Sequence, residues 1–245
     1  MHYFSSNPFL IIPFLLFFPT TCVISAGPRH LCFGKNSTSP TYESNLNDLA
    51  DLLQAKVSRT GFGVGSVCQG QTRANGLALC RGDTLRSACK ACVVEASRAI
   101  EDGCPSNQAA IIWYDHCLYK YSNEEFFGEI DNKNKFYMFS IKNVEDPDSF
   151  NKKTNYLLSQ LANGLATNKA YVNPVLYGTG ELELEGSRKL YGLVQCTRDL
   201  SSSDCKKCLD DAISELLDCC DGKEGGRVVG GSCNFRYEIY PFVNT

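Results

Sequence analysis

The sequence predicts an α+β protein made of two tandem, disulfide-stapled domains with antiparallel sheets. Three observations lead there. Cys80, Cys89, Cys92, Cys104 and Cys117 recur as Cys196, Cys205, Cys208, Cys220 and Cys233, each 116 positions on, in the spacing C-x8-C-x2-C-x11-C-x12-C. Each half reads as helix, strands, helix, strands. The 245 residues carry 14 cysteines, too many for an ordinary cytosolic chain and fitting for small domains whose cores need covalent support. Residues between and flanking the cysteines also match at the same step: Gly76-Leu77 with Gly192-Leu193, Asp83 with Asp199, Lys90 with Lys206, Tyr121 with Tyr237 and Phe126 with Phe242. Five cysteines in register mark a duplication.

Residues 1–26 contain no Lys, Arg, Asp or Glu, and Phe9–Phe18 is an apolar run interrupted by Pro13. The run is too short to span a bilayer and ends near Ile24-Ser25-Ala26, so a signal peptide cut after Ala26 is expected. No later segment reaches transmembrane length. The expected product is secreted, extracellular and without a membrane anchor. Its formal charge of −3, with no basic cluster, argues against nucleic-acid binding.

The first domain is expected over 27–129. Leu46, Leu49, Leu53 and Val57 recur at helical spacing. A strand should end at Cys80. A second helix should carry Cys89, Cys92, Val93, Ala96 and Ile100 on one face, and closing strands should span Ala109–Tyr121. The polar stretch Asp131–Lys135 marks a linker over 130–136. The second domain is expected over 137–242. Its first helix holds Leu157, Leu161 and Leu165, loosened at Asn163-Gly164. Glu181–Glu185 alternates leucine and carboxylate, the pattern of a strand with one solvated face rather than a calcium site. Lys189–Cys196 is the matching inner strand. Ser201–Asp204 offers a helix N-cap before the face Cys205, Cys208, Leu209, Ala212 and Leu216. Arg227–Tyr240 closes the domain.

Cys89 and Cys92 diverge on their helix, so each should reach a separate partner, Cys80 for the one and Cys117 for the other. Zinc is not expected: each repeat has one C-x2-C pair, and His30 and His116 fall outside ligand spacing. No cofactor is expected. Neither G-x-S-x-G, H-E-x-x-H nor a Gly-rich phosphate loop occurs, and the Cys117 beside His116 should be bonded, so no enzyme is expected.

Gly76–Asp83, Ala110–Cys117, Arg227-Val228 and Cys233–Glu238, with the C-x8-C-x2-C core, resemble the plant cysteine-rich repeat secretory proteins, whose unit is the ginkbilobin-homologous or stress-antifungal domain. The same tandem forms the ectodomain of cysteine-rich receptor-like kinases. The resemblance implies a five-stranded antiparallel sheet packed by two helices in each domain. It also implies the bonds Cys32–Cys104, Cys80–Cys89 and Cys92–Cys117, and by the 116 step Cys196–Cys205 and Cys208–Cys233. The second repeat has no counterpart of Cys32. Cys68, Cys219 and Cys220 are therefore left over. Either Cys219 bonds Cys220, or Cys68 reaches one of them, and one thiol stays free or links two chains in a disulfide dimer.

The resemblance implies a secreted, non-catalytic binding protein of the apoplast in stress or defence. Two alternatives accompany it: a mannose-type antifungal lectin, and a partner of receptor-kinase ectodomains. The family's antifungal prototype binds mannose through an Asn after the first cysteine, an Arg six residues before the last and a Glu five after it. Repeat 1 has Phe33, Ile111 and Ser122 there. Repeat 2 has Arg227 and Glu238, and the region of Asn143 offers no cysteine–Asn pair. Arg227 and Glu238 are thus candidate carbohydrate ligands, or else a structural ion pair across adjacent strands. Trp113 is expected in the core. Asn36-Ser37-Thr38 is the one N-glycosylation sequon.

Overall fold

The computed structural model describes residues 28–36, 39–167 and 175–243. The expected signal peptide lies outside them. Two five-stranded antiparallel sheets are built from β1 (Arg29–Asn36), β2 (Phe62–Val67), β3 (Ala74–Cys80), β4 (Asn107–Trp113) and β5 (Cys117–Ser122), and from β6 (Lys135–Phe139), β7 (Tyr177–Glu183), β8 (Lys189–Cys196), β9 (Gly226–Gly230) and β10 (Cys233–Glu238). Their strand orders, β1-β4-β5-β3-β2 and β6-β9-β10-β8-β7, are the same order twice. Helices α1 (Pro40–Thr60) and α2 (Arg86–Gly103) cover the first sheet. α3 (Pro147–Thr167), α4 (Ser202–Ser214) and the short α5 (Leu216–Cys220) cover the second.

α1 starts where Ser39 accepts from the Tyr42 amide at 3.2 Å, with a proline in the first turn. It stops at Gly61, whose φ of 75° is left-handed and whose N–H returns to the Val57 carbonyl. Its face Leu49, Leu53 and Val57 is fully buried against the sheet. A Cβ on Gly76 would lie 2.7 Å from Leu49, and one on Gly192 would lie 2.9 Å from Leu157. The shared glycine therefore lets the first helix of each domain come close to its sheet.

Each repeat opens with a strand, β1 or β6, ahead of its first helix, which corrects the helix-first order. Both are edge strands whose pairing partners, β4 and β9, lie more than seventy residues away, beyond the reach of local periodicity. Lys135 and Phe136 belong to β6 rather than to a linker. α3 runs through Asn163-Gly164 without interruption. The second helix of the second domain breaks at Glu215, so Leu216 sits in α5.

Both faces of the first sheet are covered. Ala74, Ala78, Ala110, Ile112 and Tyr119 meet the helices, while Leu77, Leu79, Ile111, Trp113 and Leu118 form a second cluster with Val229 of the other domain. β3 is consequently buried at all seven positions, which explains its unbroken small and apolar sequence.

Among the described residues six disulfides are present. Cys80–Cys89 and Cys92–Cys117 tie α2 to β3 and β5, Cys196–Cys205 and Cys208–Cys233 tie α4 to β8 and β10, and Cys32–Cys104 ties β1 to the end of α2. Cys219 is bonded to Cys220. Phe139 faces Gly226 as Cys32 faces Ala110, so the second domain has phenylalanine where the first has its edge-strand cysteine. Cys68 is free and exposed, its Sγ 3.2 Å from Asn45 Oδ1. Among the described residues no helix is long and apolar enough to cross a membrane.

Candidate binding cleft

The turn Tyr114-Asp115-His116 joins β4 to β5. Its geometry is fixed by the Tyr114 amide on the Cys117 carbonyl at 2.8 Å and the Arg81 amide on the His116 carbonyl at 2.9 Å. From the second domain, β6 and β9 bring Phe136, Met138 and Arg227 toward this turn, with Met138 directly opposite Arg227. The two sets of residues, with Pro28, Arg29 and the Ala88–Glu95 face of α2, enclose a cleft of about 550 Å³. Its walls come from both domains.

The seam beneath it is fixed by direct bonds. Trp113 donates from its indole to the Gly230 carbonyl at 3.1 Å and meets the Phe136 ring edge-on at 5.2 Å. Gln195 donates to the Cys80 carbonyl at 2.9 Å in a fully buried contact. Arg198 donates to the Thr60 carbonyl at 2.9 Å. A Cβ on Gly82 would fall 2.3 Å from the Tyr177 ring, so only a glycine there lets the two domains meet. The Asp131 amide donates to Ser232 Oγ at 2.9 Å, and its carboxylate accepts from Lys120 Nζ at 2.7 Å. The segment read as a polar linker is therefore tied down on both sides.

Arg227 Nη1 donates to Asp115 Oδ1 at 2.8 Å across the seam. Glu238 accepts from Arg236 Nε at 3.0 Å. The expected ion pair between Arg227 and Glu238 is thus corrected. The two lie on one sheet face, since Arg227 is opposite Arg236, but each is bonded to a different partner, and the buried Arg227 Nε has none. Charge in the first domain draws Arg227 away from its diagonal neighbour.

Burial works to raise the Asp115 carboxyl, but the Arg227 hydrogen bond and charge, aided by Arg236 and His116, outweigh it and hold it below its ordinary value. Burial lowers the Arg227 guanidinium despite Asp115. Burial raises Glu238 against the pull of Arg236. Burial, then the neighbouring Glu95, raises Tyr114. Burial also opposes ionisation of Asp131, yet Lys120 and Asn134 bring it below its ordinary value.

His116 lies at the rim, and the adjacent Cys117 sulfur is committed to Cys92, so the pair has no thiol nucleophile. His30, Cys32 and Cys104 come within 4.8 Å of one another, but the two sulfurs are bonded to each other and offer no thiolate for a metal. Glu181 and Glu183 face Lys189 at 2.5 and 3.5 Å. Trp113 is buried at the seam. Asn36 is exposed at the end of β1, with Ser37 and Thr38 outside the described residues. Asp115, Asp131 and Gln195 were not singled out from the sequence. Asp115 stands two residues before a repeat cysteine, but nothing local marks a partner 112 positions away.

The family described as salt stress response/antifungal matches residues 31–124 and 138–240. The chain is 57% identical over 243 residues to an antimicrobial ginkbilobin-2-like protein of Castanea crenata, covering 98% of this chain and 99% of that protein. It is 53% identical over 212 residues to cysteine-rich repeat secretory protein 38 of Arabidopsis thaliana, covering 86% and 82%. Its fold resembles the crystal structure of the tandem DUF26 ectodomain of the Arabidopsis thaliana cysteine-rich receptor-like protein PDLP8, with a TM-score of 0.75, 25% identity, and 87% and 98% of the two chains covered.

Proposed function

This chain belongs to the salt stress response/antifungal family, and on that premise we propose a non-catalytic binding protein that acts in the plant apoplast in stress and defence. It is a secreted cysteine-rich repeat protein with two tandem domains of the DUF26 ectodomain fold. The observation that carries the reading is the cleft at the seam, which needs both domains and is walled by Trp113, Phe136, Met138, Asp115 and Arg227. Fixed walls with mixed apolar and polar groups suit recognition. The antimicrobial name of the chestnut relative points to a microbial surface as the target.

The test is a growth-inhibition and hyphal-wall sedimentation assay with the secreted protein, beside the Met138→Ala variant, which alters the cleft wall and leaves the Trp113 anchor in place. Inhibition by the parent, with loss in the variant, supports the reading. A parent that neither slows any filamentous fungus nor sediments with hyphal walls sinks it.

A lectin reading through Arg227 and Glu238 rests on their common sheet face. It requires a sugar to compete with Asp115 and Arg236 for groups already bonded. A glycan array decides it: signal from the parent and none from Arg227→Ala supports it, and a silent parent removes it. A protein partner related to receptor ectodomains is the third reading. It draws on Tyr137, Phe139, Ile141 and Leu217, which are exposed on the second domain. Binding of immobilised receptor ectodomains that survives Arg227→Ala and is lost in Phe139→Asp marks it, and equal binding by both variants rejects this surface. Cys68, exposed and unbonded, is the thiol through which two chains would link. Non-reducing electrophoresis of the parent and Cys68→Ser tests that dimer.

A further inference from the structure

We propose that the free edge of β6 accepts an extended segment of a partner protein as an added strand, and that this segment carries an acidic residue on the side facing the cleft. The inference rests on the cleft as the recognition site and names what enters it. A strand at a sheet edge offers unpaired backbone groups to another chain. Four strands lie at edges here, β1, β2, β6 and β7, and three are guarded. On β2, Lys56 Nζ donates to the Val64 carbonyl at 2.6 Å. β7 carries Glu181 and Glu183 beside Lys189. β1 carries Arg29, His30 and Lys35 and is bonded through Cys32 to the end of α2. β6 has a single charged side chain, Lys135, and Glu215 draws it aside, accepting from Lys135 Nζ and from the Tyr137 hydroxyl.

The backbone of β6 has a defined free side. The Ser140 amide donates to the Gly225 carbonyl at 2.8 Å, so Ser140 faces β9, and alternation along an antiparallel pair turns Met138 and Phe136 the same way. The N–H and C=O groups of Lys135, Tyr137 and Phe139 therefore point away from the sheet. An added strand pairs with them, and its side chains alternate between two surfaces. One is the outer face, where Tyr137 and Phe139 are 41% and 55% exposed and Ile141, just beyond, is 93% exposed. That face suits apolar residues. The other is the cleft, which Phe136 and Met138 line. Its two carboxylates are engaged, Asp115 by Arg227 and Glu95 by the Tyr114 hydroxyl. The side-chain charge left over is positive. Arg29 lies 5.3 Å over the Phe136 ring and makes no ion pair among the described residues, and Arg227 Nε is buried without a partner. An acidic side chain gives such donors an acceptor. A second copy's β6 supplies none, because that strand contains no Asp or Glu.

The experiment uses the full secreted chain on a Cys68→Ser background, which removes covalent dimers. The probe is a short peptide alternating valine with glutamate. One companion peptide has lysine in place of glutamate, and another has its backbone amides N-methylated. Binding is read by fluorescence anisotropy and by hydrogen exchange at the Tyr137 and Phe139 amides. The expected result is protection of those amides by the glutamate peptide, with affinity about tenfold lower for each companion peptide, for Arg29→Glu and for Tyr137→Pro. Proline is compatible with an edge position whose N–H faces solvent. No protection by the glutamate peptide, or equal affinity for the N-methylated one, overturns strand addition. Equal affinity for the glutamate and lysine peptides overturns the acidic preference. A chain that dimerises without peptide, and ceases to in Tyr137→Pro, gives the edge to a second copy and overturns the proposal as well. Loss of hyphal-wall sedimentation in Met138→Ala with no amide protection overturns the added strand alone, and protection in a parent that never sediments supports the strand while removing the microbial target.

Discussion

Lys120 and Asp131 form a 2.7 Å ion pair in which both side chains are almost wholly withdrawn from water. It joins the centre of the first sheet to the segment entering the second domain. Removing one partner strands the other charge, and such losses amount to about 3–5 kcal/mol. Asp131→Ala should therefore lower stability by that amount in a denaturant titration. Lys206 and Asp210 form a half-exposed pair one helical turn apart, and Asp210→Ala should cost about 0.5 kcal/mol or less. Equal losses in the two variants would contradict this account of the seam.

Trp113 is the anchor of the interface. Trp113→Ala removes its packing on Phe136 and its bond to Gly230. The expected loss is about 3–5 kcal/mol. The shape of the transition is more telling than its midpoint. Calorimetry should show one cooperative unfolding event in the parent and two in the variant, because each domain keeps its own helix-facing core. A single event in both would mean that Trp113 does not couple the domains.

Acid should loosen the seam. Asp115 and Asp131 are held below their ordinary values. A carboxyl with a depressed folded value contributes stability that is present above its unfolded pKa, about 3.9, and is lost as pH falls through the lower folded value. Glu238 is raised instead, so its protonation on acidification relieves a burial cost and works the other way. The expected outcome is a flat seam stability near neutrality and a fall below about pH 4. Asp131→Asn should flatten that fall. Hydrogen exchange at the amides of Asp131 and Gly230 across this range checks it.

The disulfides should differ in worth. Cys32–Cys104 closes a separation of 72 residues and Cys219–Cys220 a separation of one. Constraint of the unfolded chain grows with loop length, and the long loop corresponds to about 4 kcal/mol. Cys32→Ser with Cys104→Ser should lower the unfolding midpoint well below that of Cys219→Ser with Cys220→Ser. The reverse order would rule out the loop-length explanation.

Much of each domain was legible in the sequence because its determinants are local or repeated. The 116-residue step set the cysteine frame, Leu49, Leu53 and Val57 declared α1, and Gly76 and Gly192 marked one position used twice. β1 and β6 were not legible from periodicity, since both pair with strands far along the chain and carry mixed side chains. The cleft was hardest to see. Arg227 stood out through its resemblance to a sugar ligand, yet its partner is Asp115, chosen by how the domains pack. Asp131 looked like a solvated linker residue for the same reason. An interface between repeats has no period of its own, and its polar members are indistinguishable from surface residues until the two halves meet.

The shared apolar cluster of Leu77, Leu79, Ile111, Trp113, Leu118 and Val229 also has a consequence for biosynthesis. The first domain leaves the ribosome first and can bond its own cysteines, but the outer face of its sheet has no cover until the second domain follows. At about 5–20 residues per second, a hundred further residues take roughly 5–20 seconds. During that interval the nascent chain is adhesive on one side. Its yield should therefore depend on chaperone supply in the secretory pathway, even though the finished protein is sealed.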